Sequence, residues 1–303
     1  MTRPMVECVP NFSEGRDSAR IEAIAERVRA VPSVFLLDRH SDADHNRSVL
    51  TFAGQAAAVA EAAFQAVEQA AALIDLTRHR GQHPRIGAAD VVPFIPLDGA
   101  TLADCAALAR GLGERIWERL RIPAYLYGAA AAHPGRERLE NVRRGQFEGL
   151  RVEAGLSPDR APDIGGAFHP TAGAVAVGAR KFLIACNVNL ASADWNAARS
   201  IARTVRFSSG GLPEVKAMGV MLPSRNLAQV SMNLTDFEVT PVHVAVEAVR
   251  REAEKLGVGI AGTEIVGLIP RKAFEASEEC LRREGFGPGI VLETRLAQAA
   301  GLG

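Results

Sequence analysis

The stretch Gly81-Gln82-His83-Pro84-Arg85-Ile86-Gly87-Ala88-Ala89-Asp90 sets an imidazole, a guanidinium and a carboxylate close together in the chain. An imidazole titrates near neutrality and can take up and return a proton, while a guanidinium recognises carboxylates through paired hydrogen bonds. Pro84 fixes its own φ and biases His83 away from helical geometry, so the histidine sits on a constrained turn. Gly81 and Gly87 allow close backbone approach or positive φ. The plain alternative is that His83 caps a turn and Arg85 is solvated.

Other polar groups deserve the same weighing. His79 and His83 are four apart, as in helical metal pairs, but Gly81 and Pro84 interrupt any helix and no cysteine lies nearby, so no metal site is expected. The run from Asp38 to Arg47 includes His40, Asp42, Asp44, His45 and Asn46 and lacks the glycine and terminal glutamate of a calcium loop. It reads either as a solvated hairpin loop or as a wall where His45, Asn46 and Arg47 bind an anionic substrate. Ser208-Ser209-Gly210-Gly211 and Gly111-Leu112-Gly113 match no phosphate-binding fingerprint, and no GxSxG elbow is present. Gly178-Ala179-Arg180-Lys181 places two cations just before an apolar strand, where Arg180 could grip a carboxylate.

The elements that must position these groups follow a repeated order. Val6 to Phe12 reads as a strand, and Asp17 caps a helix with Ile21, Ile24, Val28 and Val31 at helical spacing. Val34 to Leu37 is a second strand, followed by the polar loop from Asp38 to Arg47 and a strand from Ser48 to Ala53. Residues 56–73 form an Ala-rich helix, and Val91 to Leu97 closes a βαββαβ unit of the ferredoxin-like kind. The order recurs: a strand at 182–190, a helix from Asp194 to Arg206, strands at 215–222 and 227–234, a helix opened by Thr240-Pro241, and a strand at 264–268. Between the repeats lie a helix near 101–119, a strand at 122–128, a charged helical stretch near 135–148, and the Pro/Gly-rich segment 157–166, the expected crossing loop. A short apolar helix from Val291 to Ala300 finishes the chain. The expected architecture is α/β (α+β): two ferredoxin-like βαββαβ halves, 1–178 and 179–303, with a ligand cleft or tunnel between their sheets.

The bulk composition fits a globular protein: 303 residues, 48% hydrophobic and 23% charged. Basic and acidic residues balance at 35 each, which disfavours nucleic acid as a partner, as do only two Tyr and two Trp. Cys8, Cys105, Cys186 and Cys280 form no CxxC pair and read as reduced thiols of a cytoplasmic protein. The first residues lack a signal-peptide core, and no run reaches the ~18–20 apolar residues of a membrane helix.

Several of these segments taken together resemble the formiminotransferase family. They are Val6 to Gly15, Asn46-Arg47, His83-Pro84-Arg85-Ile86-Gly87-Ala88 with Phe94-Ile95-Pro96, Gly178 to Ala185, and Ala228-Gln229-Val230-Ser231. The resemblance runs from residue 6 to about 275 and corresponds to the transferase unit alone, which some organisms fuse to a cyclodeaminase. It implies two ferredoxin-like halves with a folate tunnel between them. The family's catalytic histidine falls on His83, and its folate-binding segment falls on Asp163, Ile164, Gly165 and Gly166 through His169, Thr171 and Gly173. The chain departs from the animal members by carrying His40 in place of an acidic residue and His169-Pro170-Thr171-Ala172-Gly173 in place of a Trp-containing stretch.

The implied reaction is glutamate formimidoyltransferase activity in histidine degradation. A formimidoyl group passes between glutamate nitrogen and N5 of tetrahydrofolate, a co-substrate, with His83 as general base and acid and no metal. Arg47, Arg85 and Arg180 are the expected carboxylate anchors, and Asn11, His45, Asn46 and Asp90 the groups that orient the amidine. The expected partners are these small molecules, a second copy in a homodimer and a separate cyclodeaminase, with neither nucleic acid nor membrane. Alternatives are a 5-formyltetrahydrofolate-processing or other folate-dependent one-carbon enzyme, and a non-catalytic folate-binding protein.

Overall fold

In the computed structural model, which describes residues 4–301, the chain divides after Arg180 into two units. The first begins with β1 (Met5–Cys8) and β2 (Asn11–Phe12), one strand interrupted at Val9-Pro10, followed by α1 (Ser18–Arg29), β3 (Val34–Asp42), β4 (Arg47–Gln55), α2 (Ala56–Leu73) and β5 (Ala89–Pro96). β4 pairs antiparallel with β3 on one side and with β1 and β2 on the other, and β1 and β2 pair antiparallel with β5. After α3 (Leu102–Leu120) come β6 (Ala124–Gly128), α4 (Leu139–Val142), α5 (Gln146–Glu153) and β7 (Val175–Ala179). β7 joins β5 in parallel, and β6 joins β7 in parallel.

Local chemistry accounts for the helices. The Asp17 side chain accepts from the N–H groups of Ala19 and Arg20, and Ile21, Ile24 and Val28 are buried at helical spacing. Small residues of α2 (Ala62, Ala63, Ala66 and Ala70) face the core. A reciprocal Thr101–Asp104 capping box starts α3. Phe12, Leu50, Phe52 and Phe94 are at most 1% exposed, each contributing roughly 1.5–3 kcal/mol of transfer free energy. Val92 lies in that core, whereas Val91 packs on the opposite sheet face with Ile86, Tyr125, Tyr127, Val142 and Leu150. That second cluster carries α4 and α5, and with them the residues that complete the site.

The second unit contains β8 (Ile184–Leu190), α6 (Trp195–Val205), β9 (Val215–Leu222), β10 (Leu227–Leu234), α7 (Val242–Lys255) and β11 (Ile260–Val266). Its sheet runs β11-β8-β10-β9, all antiparallel. The first unit has the matching order β5, β1/β2, β4, β3. Both units therefore have the ferredoxin-like βαββαβ arrangement that the element order implies. Among the described residues no helix is long and apolar enough to cross a membrane. All four cysteines are free and buried.

Several local expectations need correction. The segment from Asp38 to Arg47 is not a long loop: β3 continues to Asp42 and only residues 43–46 form the turn. The polar side chains misled because β3 is an edge strand, where alternating charged residues are compatible with one-sided pairing. The charged stretch 135–148 is not one helix, since Gly145 with φ +86° separates α4 from α5. Segment 157–166 is not the crossing loop. It belongs to the first unit, where Ile164 bridges Ala124, and the chain passes to the second unit at Arg180–Lys181. Finally, Thr240 does not cap α7: its hydroxyl donates to the Pro213 carbonyl, and Pro241 occupies the N-cap.

Candidate active site

The turn joining β3 to β4 and the segment 79–83 lie against each other through backbone and amide bonds. Gln82 N–H donates to Asp44 O and His83 N–H to His45 O, at 3.1 and 3.4 Å. Asn46, in the left-handed region at φ +47°, accepts from Gly15 N–H through its amide oxygen and donates to Arg80 O. A Cβ at Gly81 would lie 2.3 Å from His45 O, so this approach requires glycine. The His45 and His83 rings meet edge to face with centroids 6.3 Å apart.

Arg47 is the first residue of β4, and its Nη1 donates to Asn11 Oδ1 at 3.1 Å and to His83 Nε2 at 3.2 Å. A guanidinium only donates, so Nε2 of His83 is the accepting, unprotonated nitrogen and the neutral ring carries its proton on Nδ1. Burial, then the charges of Arg47 and Arg143, push the His83 pKa well below its ordinary value. Burial, followed by Arg143, also lowers Arg47, to about 10. His83 is thus an unprotonated base held beside the guanidiniums of Arg47 and Arg143.

Downstream of His83 the loop is fixed by ion pairs. Arg85 is buried, with Nε donating to His79 Nδ1 and its two terminal nitrogens gripping the Glu148 carboxylate at 2.9 and 2.7 Å. Gln146 and the His79 carbonyl take further donors. Arg85 is therefore engaged on every side and serves as a strut, not as an open carboxylate anchor. Asp90 accepts Ile86 N–H through one oxygen and pairs with Arg143 through the other. The Ser13 hydroxyl donates to Gly87 O at 2.7 Å.

The structure brings Asn11, His45, Asn46, Arg47, His83, Arg85 and Asp90 to one end of the first sheet. Arg180 lies nearby in a connected way: it hydrogen-bonds the buried Tyr127 hydroxyl, which feels the charges of both Arg180 and Arg143. His169, Thr171 and Gly173 form a tight turn beside the loop, with His169 Nδ1 accepting from Ala172 N–H and Gly173 bridging Gly87. Asp163, Ile164, Gly165 and Gly166 are placed elsewhere. Asp163 is buried against Arg136 and the Leu126 N–H, Ile164 reaches Gly113 of α3, and Gly165 packs on Trp117.

Arg143, Tyr127 and Glu148 were not singled out from sequence. Arg143 sits among Arg136, Arg138 and Arg144 in a charged stretch, and only its pairing with Asp90, 53 positions away, distinguishes it. Among the described residues the buried Nε groups of Arg47 and Arg143 make no hydrogen bond. Two guanidiniums with unused donors beside a neutral imidazole form a site that attracts an anion and can accept a proton. No cluster of three or more His, Cys, Asp or Glu that could hold a metal occurs among the described residues.

Comparison with known proteins follows the same division. Residues 5–180 match the formiminotransferase domain, N-terminal subdomain, and residues 185–286 match the formiminotransferase domain. The chain is 46% identical to a glutamate formimidoyltransferase of Streptococcus pyogenes serotype M1, over 93% of this chain and 95% of that one. It is 42% identical to a glutamate formimidoyltransferase of Thermoplasma acidophilum, over 98% and 99% of the two chains. A formimidoyltransferase-cyclodeaminase of Mus musculus is 45% identical, with 89% of this chain matching 51% of that protein.

Proposed function

Because the chain belongs to the formiminotransferase domain family, we propose that it is a glutamate formimidoyltransferase acting between N-formimidoyl-L-glutamate and tetrahydrofolate. The observation that carries the chemistry is the hydrogen bond from Arg47 to a neutral His83. In transfer to folate, N5 attacks the formimidoyl carbon, and a new C–N bond forms as the carbon becomes tetrahedral. His83 takes the proton that N5 must lose. The C–N bond to glutamate then breaks, and His83 returns that proton to the departing nitrogen.

In the free protein the His83 lone pair is occupied by Arg47. A substrate carboxylate competing for Arg47 releases that lone pair as the substrate arrives, and Arg143 supplies a second cation alongside. Asn11 holds Arg47 from the other side. Asp90, Arg85 and the 169–173 turn fix the loop from below, and Arg180 stands beside Tyr127 as a further cation for a carboxylate. The chemistry needs no metal. The same reading includes a cytoplasmic location, a homodimer and a separate protein for the cyclodeaminase step.

The test is a spectrophotometric assay of purified protein with tetrahydrofolate and formimidoylglutamate, run beside 5-formyltetrahydrofolate. Turnover of the first pair supports the reading. Turnover of 5-formyltetrahydrofolate alone, or folate binding without turnover of either, overturns it.

A further inference from the structure

His79 takes no part in the chemistry above, yet it is 7% exposed and bonded through both ring nitrogens. Nε2 lies 2.9 Å from the Asn46 carbonyl, which can only accept, so Nε2 carries the proton. Nδ1 lies 3.1 Å from Arg85 Nε, which can only donate, so Nδ1 carries the lone pair. The ring is thus fixed as the neutral Nε2–H tautomer. It joins the turn between β3 and β4 to Arg85, which the Glu148 carboxylate holds at the start of α5. His83 lies between those two attachment points and shares the turn through its own bond to His45 O.

We propose that His79 is a positioning residue: as a neutral ring it clamps the segment carrying His83 against the turn carrying Arg47. Protonation removes the lone pair that Arg85 uses and sets a second cation against that guanidinium. The charged and titratable groups facing the ring are Arg85 on its own loop, Glu14 and Arg16 before α1, and His83, with Glu148 behind Arg85. Burial first, and Arg85 with it, lowers the His79 pKa, so the clamp is closed at neutral pH and opens in acid. The proposal rests on His83 being the acid–base group. Acid inactivation then removes two protonation-sensitive parts, the base and its clamp, and the acid limb of the rate profile is steeper than for one group.

The experiment compares H79Q and H79A in the full chain. A glutamine amide can donate to Asn46 O and accept from Arg85 Nε without titrating. H79Q is expected to retain turnover at alkaline pH while its acid limb falls to the slope of a single ionisation. H79A, checked for folding by circular dichroism, is expected to lose up to about 100-fold in kcat with little change in KM, the scale of a displaced catalytic group. An H79Q acid limb as steep as the parent's overturns the proposal, and so does a folded H79A with the parent's kcat and profile. If H79A does not fold, the H79Q profile decides. An active H83A variant would instead refute the assignment of His83 and leave these His79 readouts separate.

Discussion

Asp163 separates a structural strut from a ligand contact. Its side chain and that of Arg136 are each 7% exposed. One carboxylate oxygen lies 2.5 Å from Arg136 Nη1, and the other accepts Leu126 N–H at 2.7 Å. D163N keeps the shape and one acceptor but removes the charge facing a buried guanidinium. Breaking a buried pair by altering one partner costs about 3–5 kcal/mol. Arg136 retains the Asp159 and Ala161 carbonyls and stands 5.2 Å from the Tyr125 ring centre, which places the loss near the lower end. In a unit that ends at Arg180, roughly 3 kcal/mol corresponds to a fall in Tm of about 6–12 °C. Thermal unfolding by circular dichroism and the KM for tetrahydrofolate should be measured on the same samples. A lowered Tm with parental KM is expected; an unmoved Tm with a raised KM would refute the assignment and return Asp163 to the folate contacts.

Two further outcomes follow from the charges at the site. In R47Q, loss of the neighbouring cation lets the His83 pKa rise toward its ordinary value, so the acid limb of kcat/KM moves to higher pH and KM for the carboxylate substrate rises. An acid limb that stays in place contradicts the electrostatic coupling. His79 and His83 both titrate lower in the folded protein than in the unfolded chain, where histidine ionises near pH 6.5. Their contribution to stability is complete above about pH 6.5 and is lost as pH falls from there through their folded values, because the unfolded chain then binds more protons. Urea unfolding between pH 7 and 5 should show this fall, and H83N should reduce its slope; equal slopes would contradict it.

Much of the frame was legible because it depends on local pattern. The Ala-rich helix at 56–73 and the paired strands at 215–222 and 227–234 coincide with their expected bounds, and Asp17 caps its helix as its position suggests. β7 was not legible: Val175-Ala176-Val177-Gly178-Ala179 has small side chains and little pattern, and it becomes a strand by inserting between β5 and β6. The site divides the same way. His83 stood out because proline and glycines surround it, whereas the parts played by Arg143 and Glu148 come from pairing with Asp90 and Arg85, far away in sequence. Arg85 drew attention as an anchor because a guanidinium beside His83 can grip a carboxylate, and the fold supplies one in Glu148.

The most direct test of the account is single-turnover transfer from formimidoylglutamate to tetrahydrofolate by H83A, with folate binding measured on the same protein by calorimetry. The account predicts a loss of about 10²–10⁴ in the transfer rate, the usual contribution of a positioned acid–base group, with folate binding retained. Transfer within a few-fold of the parent rate would contradict it.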